Sequence, residues 1–516
     1  MYKLGIDVGG TNTDAVLIDE DLKVIGEVKY PTSGNVFEGI MGAVQKLLKQ
    51  TQVDRSKIRQ AMLGTTQCTN AIVERKNLAK IGLLRIGAPA TVGVPPMVDW
   101  PEDIRFTCEK SAIIGGGFEY DGKELAPLDE AAARDFFAQL KGVVHSIAIS
   151  CVFSTVRADH ERRAAEICRE VMGENVHISI SSEIGSMGLI ERENATILNA
   201  ALYQVAERFT EGFAYSLAQE GITNAEVYLS QNDGTLMTME HARRYPILTI
   251  ACGPTNSIRG ASYLSHLDNA IVIDVGGTTT DLGVIQSGFP RESGVAVTIG
   301  GVRTNFRMPD VYSIGLGGGS IVRQHEDGTV TVGPDSVGYR LTEKALVFGG
   351  DTLTATDIAV RLGMADIGDP AKVAHISESL AQKAMAAIRE LVEESIDVMK
   401  VSSEDVDIIL VGGGSILLPE TLAGARSVTK PKFFGTANAI GSAISKVSGT
   451  YEALIDYNEL PREQALEKAR QEAIEMAVSA GAKRETVEII EMEDVPLAYY
   501  PGNTCRVKVK SAGELQ

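Results

Sequence analysis

The chain has 516 residues, 44% of them hydrophobic and 23% charged, with a formal net charge of −19. That length exceeds one ordinary hydrophobic core, so two or three globular domains are expected. The acid excess argues against nucleic acid and anionic membrane as partners, and it requires an anionic ligand to be held by local donors or a metal. No apolar stretch approaches the roughly twenty residues of a membrane span. MYKLGIDVGG enters a strand at once, leaving no room for a signal peptide. Cys68, Cys108, Cys151, Cys168, Cys252 and Cys505 show no paired spacing, and these features together predict a reducing, cytoplasmic setting. The seven histidines form no H-x-x-x-H array, so a structural zinc site is not expected.

In chain order, apolar alternation predicts strands at 2–8, 14–19 and 23–30, then a helix over 36–50 with Phe37, Ile40, Val44 and Leu47 at helical spacing. A strand at 61–64, a helix at 67–76 and a strand at 79–86 follow, before the proline-broken loop GAPATVGVPPMVDWPED. A second alternating run has helices at 129–140 and 158–172 and strands at VVHSIAISCVF and VHISISS, then one long helix over 192–219 and a strand at 225–230. A helix over 254–266, with Pro254 near its start, leads to a hairpin at 270–286. Helices at 354–363, 373–397 and 436–446 and the strand DVDIILV complete what reads as a duplicated α/β unit around mixed sheets. The expected division is a first lobe over 1–255 carrying an inserted α/β region, a second lobe over 256–450, and a tail over 451–516 with a charged helix and a small strand pair packed on the lobes.

The duplication is explicit in DVGGTNTD at 7–14 and DVGGTTTD at 274–281. Asp7 and Asp274 each close an apolar strand, and Gly9–Gly10 and Gly276–Gly277 permit tight turns. Thr11, Asn12 and Thr13, and in the second copy Thr278 and Thr279, then offer hydroxyl, amide and backbone donors. Such a loop can wrap a phosphate while its carboxylate holds a hard cation, largely through water; a lone copy is equally an ordinary Asx-closed hairpin. Two copies suit a nucleotide polyphosphate gripped from both sides. Asp14 and Asp281, at the far ends of the loops, are left between turn closure and catalysis. IILVGGGS ends a strand in Gly412, Gly413, Gly414 and Ser415, where backbone can approach a ring or sugar closely. Gly317, Gly318 and Gly319 are expected to supply phosphate-facing N–H groups or a hinge. Neither run has P-loop spacing, and the hairpins lack G-x-G-x-x-G. Thr65, Thr66 and Asn70 in GTTQCTN start a helix, where free N–H groups favour an anion or carbonyl and plain capping is the alternative.

These residues resemble the two phosphate motifs and the adenosine motif of the actin, sugar-kinase and Hsp70 ATPase superfamily. The closer similarity is to the hydantoinase A/5-oxoprolinase family. LGTTQCTNAIVERK, SSEIGSMGLIERENATILNAAL, SQNDGTLMTMEHARRYPILTIACGP, IGLGGGSI, VGPDSVG and TATDIAVRLG extend the likeness over roughly the first 450 residues. The resemblance implies α/β ribonuclease-H-like lobes closing over ATP and Mg²⁺, with Asp7 and Asp274 organising the metal's water shell as catalytic groups. It implies ATP-dependent opening of a cyclic amide such as a hydantoin or 5-oxoproline, by phosphorylation of the amide oxygen. A B-type subunit is the implied partner, because the sequence shows no evident hydrolytic metal cluster or nucleophilic triad; a homo-oligomer is left open. Related carboxylases, a small-molecule kinase and a regulatory ATPase are the alternative functions. Glu191, Arg192 and Asn194 become substrate-side candidates through the same likeness, where in isolation they read as an exposed charged cap. The chain departs from the family's SGPAAG-like segment, reading CGPTNS at Cys252–Ser257.

Overall fold

The first hairpin pairs Tyr2–Val8 with Asn12–Asp19 antiparallel, and Val24–Pro31 continues the meander. On the other side of Tyr2–Val8, Ile58–Thr65 and then Glu226–Ser230 add in parallel. The second hairpin repeats this plan: Ala270–Val275 pairs antiparallel with Thr280–Gln286, and Val406–Val411 and Ala425–Thr429 add in parallel beside the former. Both lobes therefore share one mixed-sheet order, the duplication anticipated from the repeated motif. The computed structural model describes residues 1–32, 35–293, 297–306, 308–498 and 502–516.

Strand alternation decides which face each residue serves. In the first lobe Leu4, Ile6, Val8, Ala15 and Leu17 pack with Ile40, Ala43 and Leu47 of the helix Val36–Thr51. The opposite face carries Val16 and Ile18, packed on Ala439, Ile440 and Ala443 of the helix Ala437–Ile444. In the second lobe Ile271, Ile273 and Val275 face a core with the helices Ala355–Arg361 and Glu378–Met399. Ala270 and Val272 face Ile258 and Ala261 of the helix Cys252–Ser265.

The two inner helices cross at backbone contact. A Cβ on Gly260 would stand 1.9 Å from the carbonyl oxygen of Ala437, and one on Gly441 would stand 1.8 Å from that of Asn256. Only glycine fits at such a crossing.

Between the lobes' elements, residues 81–180 build a four-stranded parallel sheet in the order Cys108–Gly115, Ile81–Ala88, Ser146–Cys151 and His177–Ile180. The single helix expected over 192–219 is two helices, Leu189–Ala201 and Tyr203–Gln219. The tail packs on the first lobe, while both expected boundaries fall within elements. A boundary at 450 falls inside the strand Val447–Asp456, and one at 255 falls inside the helix Cys252–Ser265. Thr504–Gly513 pairs along Val447–Asp456, and Glu488–Pro496 pairs along Thr504–Gly513, so these strands extend the first lobe's sheet to nine. The helix Arg462–Ser479 covers them, setting Leu466, Ala469 and Ala473 against Val507 and Val509. Among the described residues, no helix is long and apolar enough to cross a membrane.

Overpacking a core typically costs about 1–3 kcal/mol. Gly441→Ala drives its methyl into backbone, so its urea midpoint is expected to fall by at least that equivalent. Gly93→Ala, where a Cβ meets nothing within 4 Å, serves as the neutral control, staying within about 0.5 kcal/mol.

Candidate functional site

Asp7 and Asp274 occupy the same place in their lobes, at the end of the central strand and on the face turned to the crossing helices. Asp7 is 4% exposed. Its two carboxylate oxygens accept from Asn256 Nδ2 at 3.2 Å and Asn438 Nδ2 at 2.9 Å. Asp274 accepts from the Ser257 hydroxyl. Directly across each hairpin sits the second acid of the motif, Asp14 opposite Asp7 and Asp281 opposite Asp274. Lys29 Nζ donates to both oxygens of Asp14 at 2.8 Å, and Ser313 donates to Asp281.

Burial pushes the Asp7 carboxyl up to about 6; the Asn256 and Asn438 bonds oppose the rise, and the charges of Asp14 and Asp274 add to it. Asp281 is likewise pushed to about 6 by burial, against its bond from Ser313. Asp14 is raised by burial with Lys29 opposing, and Asp274 by burial with Ser257 opposing. Four carboxylates from two lobes thus share one electrostatic environment, and Lys29 is the cation bonded among them. They titrate as a coupled set.

The hairpin loops are built alike. Gly9 N–H donates to Asn12 O at 3.0 Å, and Gly276 N–H donates to Thr279 O at 2.9 Å. The loops also meet: a Cβ on Gly277 would lie 2.5 Å from Thr11 Oγ1. Among the described residues, the backbone N–H groups of Gly10, Thr11, Gly277 and Thr278 have no partner. Gly10, Thr278 and Thr279 are exposed, and Thr11 and Asn12 are half-buried. Buried Asn256 Oδ1 and Ser415 Oγ also lack partners. Unpaired donors from two facing loops are what a polyphosphate needs.

Several expected residues have other roles. Thr13 is fully buried on the far face of its strand, where its hydroxyl faces Gly39 rather than the acids. Gly317, Gly318 and Gly319 do not offer free amides: Gly318 N–H donates to Gly276 O at 3.0 Å, Gly319 N–H to Gly277 O at 2.7 Å, and Gly317 N–H to Ser320 Oγ at 2.8 Å. They buttress the second loop from behind. Gly412 and Gly414 pack tightly on Asp274 and on the backbone of Val275 and Gly276, whereas Gly413 is exposed and lies near Lys29.

Thr65 pairs with Val8 across the sheet, which brings the start of the helix Gln67–Val73 beside the first loop. Thr65 Oγ1 accepts from Gln67 N–H at 3.2 Å, while Thr66, the N-cap, makes no side-chain capping bond and its Oγ1 accepts from Asn70 Nδ2 at 3.3 Å.

The substrate-side candidates of the later segment are enclosed. Arg192 donates to Ser181 Oγ, Ser186 O and Cys151 O. Asn194 accepts from Trp100 Nε1 and donates to Arg303 O. Between them, fully buried Glu193 pairs with Arg85 and accepts from Ser150. Glu191 pairs with Arg303 at 3.4 Å. The charges of this segment tie the inserted region together, which excludes the exposed-cap reading for Arg192 and Asn194.

Asn256, Ser257, Asn438, Lys29 and Ser313 are site residues that motif reading missed. Lys29 carries a legible signal, since strand alternation places it opposite Asp14. Asn256 and Ser257 are polar residues on a helix face that otherwise packs into core.

Paired mixed sheets, joined through two crossing helices and presenting hairpin loops to each other, define the class as an actin-like ATPase fold with duplicated ribonuclease-H-like lobes. Residues 3–172 match the hydantoinase/oxoprolinase N-terminal region and residues 192–369 match the hydantoinase/oxoprolinase domain. The chain belongs to the hydantoinase/oxoprolinase family. It is 27% identical over 483 residues to caprolactamase subunit alpha of Pseudomonas jessenii, covering 86% of this chain and 65% of that protein. It is 26% identical over 415 residues to 5-oxoprolinase of Saccharomyces cerevisiae, covering 70% of this chain but 31% of that longer protein. The crystal structure of the ATP-dependent caprolactamase from Pseudomonas jessenii superposes with a TM-score of 0.78 at 21% identity, over 100% of this chain and 88% of that one. A nucleotide-free acetone carboxylase superposes with a TM-score of 0.69 at 19% identity, over 100% and 88%.

Because their carboxyls hold protons to higher pH in the folded state than in the unfolded one, Asp7 and Asp281 destabilise the fold once ionised. Stability is therefore expected to fall as pH rises from about 4 to 6, by on the order of 3 kcal/mol per acid, and to stay lower above that window. Asp7→Asn should flatten this part of the melting profile and leave the melting temperature at about pH 8 unlowered. Removing one partner of a buried ion pair costs about 3–5 kcal/mol. Glu193→Gln is accordingly expected to lower the urea midpoint strongly, with nucleotide affinity of the folded fraction unchanged in calorimetry.

Proposed function

We propose that this chain is the ATP-using A-type subunit of a cyclic-amide hydrolase, acting on a hydantoin, 5-oxoproline or another lactam by phosphorylating its amide oxygen. The observation that carries the reading is the facing pair of hairpin loops, with unpaired N–H groups at Gly10, Thr11, Gly277 and Thr278 just after the strands that carry Asp7 and Asp274. Family membership supports the use of ATP, and the names of relatives support both cyclic amides and a multi-subunit assembly.

An amide resists hydroxide because resonance weakens its carbonyl as an electrophile. Transfer of the γ-phosphoryl group to its oxygen makes an imidate-like ester that water can attack, and the transfer needs positioning and charge neutralisation more than a strong base. In this reading Gly10, Thr11, Gly277 and Thr278 bind phosphate oxygens through backbone N–H. Gly413 and Ser415 lie on the adenosine side. Asp7 and Asp274 would hold Mg²⁺ through its water shell, and it would supply the positive charge that four acids and a polyphosphate require. Lys29 supplies further compensation from the first lobe. Thr66 and Asn70, at the helix start beside the first loop, are the substrate-side groups retained from the sequence.

A carboxylase subunit is the second reading, supported by the carboxylase subunits among the relatives. It differs in the acceptor and shares the nucleotide cleft.

Asp7→Asn and Asp274→Asn each remove charge stabilisation worth several kcal/mol, so turnover is expected to drop by roughly 10²–10⁴ with melting preserved. Collapse of melting with an unchanged rate in the folded fraction would make these acids structural.

The partner is tested by following ADP and ring-opened product together, over a panel of lactams and hydantoins. The isolated chain should turn over ATP slowly without ring opening, and addition of a B-type polypeptide should couple the two. Stoichiometric product from this chain alone would place the hydrolytic centre within it. Carboxylated product from a ketone panel would select the second reading.

A further inference from the structure

Asn256 and Ser257 are consecutive residues of one helix, yet they bond to carboxylates of different lobes, Asn256 to Asp7 and Ser257 to Asp274. The helix cannot drift under these contacts, because Gly260 and Gly441 clamp it at backbone distance to Ala437–Ile444. That second helix supplies Asn438 to the other oxygen of Asp7. Asn256 is fully buried, and its Oδ1 has no partner although its Nδ2 is engaged. The amide is oriented by the Asp7 carboxylate, which accepts from N–H and repels carbonyl oxygen. Its oxygen, closed off from solvent, is left without a donor.

We propose that Asn256 and Ser257 are positioning residues that yoke Asp7 to Asp274, so that one rigid helix sets the separation and orientation of the two carboxylates for a hydrated divalent cation. The inference rests on the nucleotide reading of the cleft. It also gives a physical role to two of the four positions, Cys252, Thr255, Asn256 and Ser257, at which CGPTNS departs from the SGPAAG-like segment.

The yoke has a consequence that a merely packed helix lacks. Moving one lobe against the other must break either the Asn256–Asp7 bond or the Ser257–Asp274 bond, so the hairpin loops are held together even before a ligand arrives. A hydrogen bond to a charged group, once lost, corresponds to a change of about 10- to 100-fold in the equilibrium it supports.

The test uses the full chain and the variants Asn256→Ala, Ser257→Ala and Ser257→Thr. Two readouts are taken: calorimetric titration with an ATP analogue across a Mg²⁺ series, and hydrogen exchange of the ligand-free protein at peptides 8–14 and 275–281. For Asn256→Ala and Ser257→Ala we expect the Mg²⁺ concentration for half-maximal enhancement of nucleotide binding to rise about tenfold, with Mg²⁺-free affinity changed less than about threefold. Hairpin exchange should quicken by a similar factor, and Ser257→Thr, which keeps the hydroxyl, should restore both. Wild-type Mg²⁺ dependence and wild-type hairpin exchange in both alanine variants would overturn the yoke, as would acceleration spread evenly over every peptide, which marks general destabilisation. If the unaltered chain binds no nucleotide, the proposed function fails; selective acceleration at the two hairpins, reversed by Ser257→Thr, would still support the yoke, and its absence would overturn it.

Discussion

Two helices touching backbone to backbone are the constraint on which this molecule turns. Because Gly260 meets Ala437 and Gly441 meets Asn256 without intervening side chains, the helices lie deep enough between the lobes to reach the ends of both central strands. Side chains at this crossing would push the helices apart. Asn256, Ser257 and Asn438 would then withdraw from Asp7 and Asp274, and the hairpin loops would no longer face each other. The same inner helices provide the floor on which Val16, Ile18, Val272 and Ile409 are buried, so lobe packing and site geometry are one problem.

Charge is distributed in two distinct ways. Where it is structural, it is matched: Arg85 faces Glu193, and Lys510 lies 2.8 Å from both Asp233 and Glu292. Lys508 joins Glu292 at 3.1 Å, so the strand Thr504–Gly513 is tied to a residue that follows the second hairpin. At the cleft the balance is withheld. Among the described residues, Asp7, Asp14, Asp274 and Asp281 have one bonded lysine, Lys29, and burial raises all four. An excess of buried negative charge is a poor way to stabilise a fold and a good way to hold a cation. The cost of keeping these carboxylates in place is carried by the crossing helices, the amides of Asn256 and Asn438, and the hydroxyls of Ser257 and Ser313.

The inserted parallel sheet has a different relation to the site. Its links to the following helix run through Arg192, Glu193 and Asn194, a charged stretch that looks exposed when read along the chain. In the structure those groups are enclosed by Ser181, Cys151, Trp100 and Arg303, elements separated from them by as many as 109 residues. Hydrophilic composition marked the segment as unusual, but it could not tell solvent from a buried polar network.

Local physics made much of the fold legible in the sequence. Alternating apolar residues specified the hairpin strands, paired glycines specified their turns, and repetition of DVGGT announced two equivalent lobes. Even the side on which Asp7 and Asp14 fall follows from the twofold strand period, and the same period turns Thr13 to the opposite face. Tertiary structure decided what each glycine was close to. Gly318 and Gly319 donate their amides to the neighbouring loop and Gly317 to Ser320, Gly413 stays open, and Gly260 and Gly441 bring two helices into contact. It also decided that the last two strands complete the first lobe's sheet, and that Asn256, Ser257, Asn438 and Lys29 converge on the acids. These are contacts between residues up to 431 positions apart. A glycine or a polar side chain records in the sequence only that something approaches it or bonds to it; which partner does so is set by how distant elements pack.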